Sequence, residues 1–168
     1  MDQIEVMKAP RITYKFEAFD SAGNLKWTET VENLVTTAGK NDMLDKYFAG
    51  SSYTATWFVG LIDNASYTAV AVGDTMASHA GWIETHTTYD EATREAVSWS
   101  AASGGSKTSS AVTEFTMNAT ITIKGAFLNS IGTKGGTTGI LYSAAAFAAT
   151  RALVDNDLLR ITPTYTLT

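Results

Sequence analysis

The chain has 168 residues, no cysteine and 45% apolar residues, which fits one packed domain, or one domain with an arm, held without disulfides or a thiolate metal site. Its formal net charge is −5 with a pI near 4.9, and its basic residues are scattered, so the clustered Lys and Arg that displace counterions from a nucleic acid are missing and direct binding to one is disfavoured. No apolar run approaches the about 20 residues that cross a bilayer, and residues 1–8 lack a basic segment followed by an apolar one, so we expect a soluble chain without a signal peptide, made in the cytoplasm.

Residues 1–11 read as an N-terminal extended arm, since Pro10 disfavours helix just before it. Ile4, Val6 and Met7 give that arm apolar side chains to bury on a neighbouring subunit, although a frayed terminus fits the same residues. Residues 12–168 are assigned to a single β-sandwich domain. It opens with a hairpin, 12–19 and 25–31, joined by Asp20-Ser-Ala-Gly-Asn, whose Gly23 and Asn24 tolerate positive φ. Tyr14 and Phe16 share one face, while Lys15, Glu17 and Lys26 are its solvated charges.

One short helix is expected near residues 37–49, within 33–50. Thr37 or Asn41 can cap it, Met43, Leu44, Tyr47 and Phe48 fall at helical spacing, and Gly50 can end it. That stripe should lie on the sheet, with Tyr47 and Phe48 in the core. Trp57-Phe-Val-Gly-Leu-Ile is a continuous apolar run, hence a strand buried on both faces.

A long irregular region follows, 63–93. Loops of this length in a compact domain are usually functional, so it is the first place to seek a contact surface. Its candidates are Met76, His79, Trp82, His86 and Tyr89. Strand signals return at 96–100, 112–117, 119–128 and 140–147, separated by glycine turns at Gly104-Gly105 and 132–139. The last segment alternates: Leu159, Ile161, Pro163, Tyr165 and Leu167 face one way, Arg160, Thr162, Thr164 and Thr166 the other. Short, frequent strands of this kind make a mainly β, antiparallel sandwich of jelly-roll-like type.

Chemistry is hard to place on this pattern. His79 and His86 belong to no zinc-ligand spacing such as H-E-x-x-H, and Ser78 beside His79 is adjacency without nucleophile–base geometry. The stretches around Lys107 and Lys134 miss the G-x-x-x-x-G-K-[ST] spacing that surrounds phosphates with backbone N–H groups. No catalytic, cofactor-binding or metal residue is therefore assigned. The tryptophans Trp27, Trp57, Trp82 and Trp99 leave one alternative open, a sugar-stacking platform centred on Trp82 or Tyr89.

Three segments taken together resemble a family of small structural proteins encoded among the virion genes of tailed bacteriophages. They are Trp57-Phe-Val-Gly-Leu-Ile-Asp-Asn-Ala-Ser-Tyr-Thr-Ala, Asp74-Thr-Met-Ala-Ser-His-Ala-Gly-Trp, and Lys124-Gly-Ala-Phe-Leu-Asn-Ser with Thr133-Lys-Gly-Gly-Thr-Thr-Gly-Ile-Leu-Tyr. The resemblance spans about residues 33–167 and implies a virion component without catalytic residues. Within that class, a compact domain lacking repeats or heptads fits a capsid decoration (cement) protein better than a fibre. The expected partners are the major capsid protein and further copies of the chain as a homotrimer or homodimer, on the capsid surface of the virion. The alternative role is a head-fibre or tail-associated module that binds a receptor or glycan.

Overall fold

A computed structural model of the chain describes residues 10–48, 50, 52 and 56–167. Eleven strands and one helix follow in the order β1 (Arg11–Phe19), β2 (Leu25–Glu32), β3 (Leu34–Val35), α1 (Thr37–Phe48), β4 (Trp57–Asp63), β5 (Ile83–Thr85), β6 (Glu95–Val97), β7 (Ser106–Thr108), β8 (Thr113–Thr116), β9 (Ile121–Asn129), β10 (Leu141–Leu153) and β11 (Leu158–Thr166). They form two antiparallel sheets that pack together as a β-sandwich. One sheet runs β2-β1-β11-β7 with β8 also on β11; the other runs β3-β10-β9-β4-β5 with β6 also on β4.

Alternation decides which face of the first sheet is buried. Ile12, Tyr14, Phe16 and Ala18 of β1 and Leu159 and Ile161 of β11 enter the core, while their neighbours in sequence stay on the solvent side. Phe16 meets Phe147 of the opposite sheet edge-to-face at 4.6 Å, and Tyr14 Oη shares a hydrogen bond with Ser143 Oγ at 3.3 Å. Burial raises the Tyr14 phenol well above its ordinary range.

Pro163 lies in the middle of β11, where a lost N–H is normally costly. Its carbonyl accepts from Ser109 N at 3.0 Å, so its backbone groups face away from β1. That side holds the break between β8, which ends its pairing at Ile161↔Thr113, and β7, which begins at Thr164↔Thr108. The missing donor falls where no ladder bond is required.

The second sheet is covered on both faces, as expected for β4. Val59 and Leu61 point into the main core, and Ile62 points out to a second cluster with Phe127, Leu141 and Ala144. Residues 64–82 fold over that outer face and complete the cluster with Met76 and Trp82. Gly60 pairs with Phe127, and a Cβ at position 60 would sit 2.3 Å from the Phe127 ring. The absent side chain is what lets the ring lie across the strand.

The helix departs from expectation in two ways. Its cap is Thr36, whose Oγ1 accepts from Gly39 N at 3.0 Å and donates to Leu141 O; neither Thr37 nor Asn41 takes that role. Gly39 seats it on β10, where a Cβ at position 39 would lie 2.4 Å from Tyr142 O, and Met43 reaches β11, its Sδ accepting from Tyr165 Oη at 3.0 Å. Leu44, Tyr47 and Phe48 consequently face outward and are exposed, against the expectation that they belong to the core. A contact face as narrow as a glycine seats α1 too close to the sheet for an aromatic stripe beneath it.

Candidate interaction surface

The long segment after β4 is ordered by its own side chains. Trp82 is buried, its Nε1 donating to Asp74 Oδ2 at 2.9 Å, and the same oxygen accepts from Ala71 N at 2.9 Å. His79 stacks on the indole with ring centroids 3.9 Å apart, and its Nδ1 lies 2.9 Å from Trp82 O. Tyr89 is buried edge-to-face on Phe115 at 5.0 Å. Met76 is buried in the second cluster.

Met76, Trp82 and Tyr89, expected as contact residues, are thus largely spent on the interior. For Met76 and Trp82 the reason is the outer face of the second sheet, whose apolar residues needed a cover that the same segment supplies; Tyr89 instead enters the main core beside Phe115. The aromatic faces of Trp82 and Tyr89 that a sugar platform would use are buried. Ile4, Val6 and Met7 lie outside the described residues.

His79 and His86 do come together, as parts of the wall of an open cleft of about 190 Å³ with Met76, Ile83, Glu84 and residues 135–137. His86 is exposed and His79 half-buried. The one carboxylate in that wall is fully engaged. Glu84 Oε1 accepts from Arg94 Nε at 2.8 Å, and Oε2 from Arg94 Nη2 at 2.7 Å and from Gly135 N at 2.9 Å. It offers the imidazoles no proton partner. Among the described residues, no group of three or more His, Cys, Asp or Glu could hold a metal ion.

The Arg94–Glu84 pair is the main electrostatic element of this end of the sandwich. Its side chains are 0% and 4% exposed. Arg94 also donates to Ile131 O and Gly136 O, both at 2.8 Å, and lies over the Phe127 ring. Lys134 adds bonds to Tyr89 O at 3.0 Å and Glu91 O at 2.6 Å, with its ammonium 3.9 Å from the centre of the Tyr89 ring. The 132–139 loop, set aside as a phosphate cradle, is thus a partner of the 83–94 segment. The anion its Gly135 amide holds is Glu84.

What the outer surface does offer is apolar. Tyr47 is 81% and Phe48 77% exposed at the end of α1, with Leu44 a turn earlier. Leu34 just before the helix and Val72, whose carbonyl accepts from Thr37 N at 2.8 Å, are also exposed. Large aromatics this open, grouped on one element, mark interaction sites. Sequence reasoning passed over them because helical spacing says which residues share a face and leaves open which face is turned to the sheet. No protein-family model matches the chain, and no curated protein matches it.

Proposed function

We propose that this chain is a bacteriophage virion structural protein, a capsid decoration (cement) protein that binds the outer surface of the major capsid protein lattice and stabilises the head. The observation that carries the reading is the exposed Leu44, Tyr47 and Phe48 face on a body whose His79 and buried ion pair are engaged by its own chain. The resemblance of the 57–69, 74–82 and 124–142 segments to small phage virion proteins supplies the class. The proposed docking surface is accordingly α1, and the 63–93 segment is part of the body that carries it.

The mechanism is linkage. A domain that binds assembled neighbours and not separated subunits shifts the equilibrium towards the intact shell, and many modest contacts multiplied by lattice symmetry suffice. Self-association as a homotrimer or homodimer matches such sites. The test adds purified protein to mature heads that lack it, beside a Tyr47→Ser/Phe48→Ser variant. Wild-type protein is expected to co-sediment with heads in numbers comparable to the major capsid protein and to raise their heat resistance. The variant should bind at least about tenfold more weakly, the scale of losing two anchor side chains. Wild-type protein that neither binds nor protects overturns the proposal.

A further inference from the structure

β2 is the outer strand of its sheet. β1 lies along one side, and no described residue bonds to the backbone on the other. It is also the longest of the outer strands: β3, β5, β6, β7 and β8 have two to four residues, against eight in β2. An open edge of this length is a template for another strand. Proteins usually blunt one with proline, lysine or a bulge, and the stretch from Trp27 to Val31 has none of these.

The direction of each backbone group follows from one bond. Asn33 N donates to Ile12 O at 2.7 Å, and the register continues Thr13↔Glu32, Tyr14↔Val31, Lys15↔Thr30, Phe16↔Glu29. In an antiparallel pair, bonded and non-bonded positions alternate. Asn33, Val31 and Glu29 therefore bond to β1, while Glu32, Thr30 and Thr28 project their N–H and C=O outward. The side chains of these three are exposed, whereas Trp27, Glu29 and Val31 turn towards the core.

We infer that β2 pairs with β2 of a second copy, antiparallel about a two-fold axis through Glu29. In this register Thr28 faces Thr30 of the second copy, outward group to outward group, and Lys26 faces its Glu32, so opposite charges meet at both ends of the seam. Lys26 stands at the bulge where the β1–β2 register shifts and is paired with Asp157; Glu32 is paired with Arg11. Neither tie draws on the outward backbone. Glu29, on the axis, points inward to Arg151 at 2.6 Å, which removes the repulsion between two central carboxylates. Centring on Thr28 or Thr30 keeps the bonding parity but loses the Lys26–Glu32 match. This inference stands whether or not the virion reading holds.

The experiment uses the full chain in sedimentation velocity and light scattering, with a Thr30→Pro variant. The Thr30 N–H points away from β1, so proline there costs no bond inside the sheet. Wild type is expected at twice the monomer mass, and Thr30→Pro at the monomer mass with unchanged far-ultraviolet circular dichroism. A second measurement does not depend on that variant folding. Thr28→Cys and Thr30→Cys proteins are oxidised separately and as a mixture; the chain has no other cysteine, and bonded antiparallel positions about 5.5 Å apart fit a disulfide. A cross-linked dimer that forms chiefly in the mixture is the expected result. A monomeric or trimeric wild type, a dimeric Thr30→Pro, or cross-linking no better in the mixture than in either protein alone overturns the inference.

Discussion

Arg94→Met tests whether the end of the sandwich is held by the buried ion pair. The substitution keeps most of the side chain's volume but deletes four hydrogen bonds, two to Glu84 and one each to Ile131 O and Gly136 O. Glu84 is left as a buried carboxylate with Gly135 N as its remaining donor. Ile131 O keeps Asn129 Nδ2 at 3.2 Å, so the stranded groups are one charge and the Gly136 carbonyl. Breaking a buried pair from one side costs about 3–5 kcal/mol, and the stranded Gly136 carbonyl puts the expected loss in the upper part of that range, about 4–5 kcal/mol. For a chain of this size that lowers the melting temperature by about 8–20 °C. Glu84→Leu should cost about as much, because it strands the guanidinium instead. The double variant should lose only about 2 kcal/mol or less, since an apolar pair leaves no charge behind. Urea unfolding followed by tryptophan fluorescence measures all three. A loss below about 1 kcal/mol for Arg94→Met, or a double variant as damaged as the sum of the singles, would refute the reasoning.

Two further outcomes follow from single positions. Gly39→Ala places a methyl 2.4 Å from the Tyr142 carbonyl, which is backbone and cannot turn away; overpacking of about 1–3 kcal/mol should exceed the gain of up to about 1 kcal/mol in helix propensity. Denaturation should show a net loss, and a gain would mean that α1 is not seated on β10. Glu95 is pushed above the usual carboxylate range, first by partial burial and then by the charge of Glu91, so the folded state holds its proton more tightly than the unfolded one. Stability from this group is greatest at low pH and falls as pH rises through the raised value. Glu95→Gln should therefore melt higher than wild type at pH 7 and no higher near pH 4; an unchanged difference between the two pH values refutes it.

The alternation of 12–18 and 158–166 made the first sheet readable, because a strand with one wet face writes its burial directly into sequence parity. The continuous run of β4 was equally readable as a strand covered twice. What covers it was not. Met76 and Trp82 sit among polar, small residues, a texture shared by exposed loops and by segments that drape over a sheet, and only the apolar outer face formed by Ile62, Phe127 and Leu141 distinguishes the two. The helix was readable but its buried face was not, for a related reason. Gly39 is the residue that turns α1, and a glycine carries no apolar signal, so the stripe of Leu44, Tyr47 and Phe48 drew the eye to the wrong side. Arg94 and Glu84 are ten residues apart and unremarkable singly. Their meaning depends on a third segment, 131–136, whose carbonyls and amide complete the pair.

The two surfaces singled out touch different parts of one strand, although the Glu32 end of β2 leads through β3 directly into α1. α1 rests on Tyr142 near the start of β10, and β2 contacts its far half through Phe147 and Arg151. Nine positions separate Tyr142 from Arg151, about 25–30 Å at strand rise with allowance for the bulge between Ala146 and Arg151. A dimer paired along β2, as inferred above, would carry two Tyr47–Phe48 faces. Binding by the second face is then intramolecular, at an effective concentration set by the rigid body between them. In the proposed lattice setting, a small aromatic patch would gain avidity when presented in pairs, provided the lattice repeats at the spacing that the seam imposes.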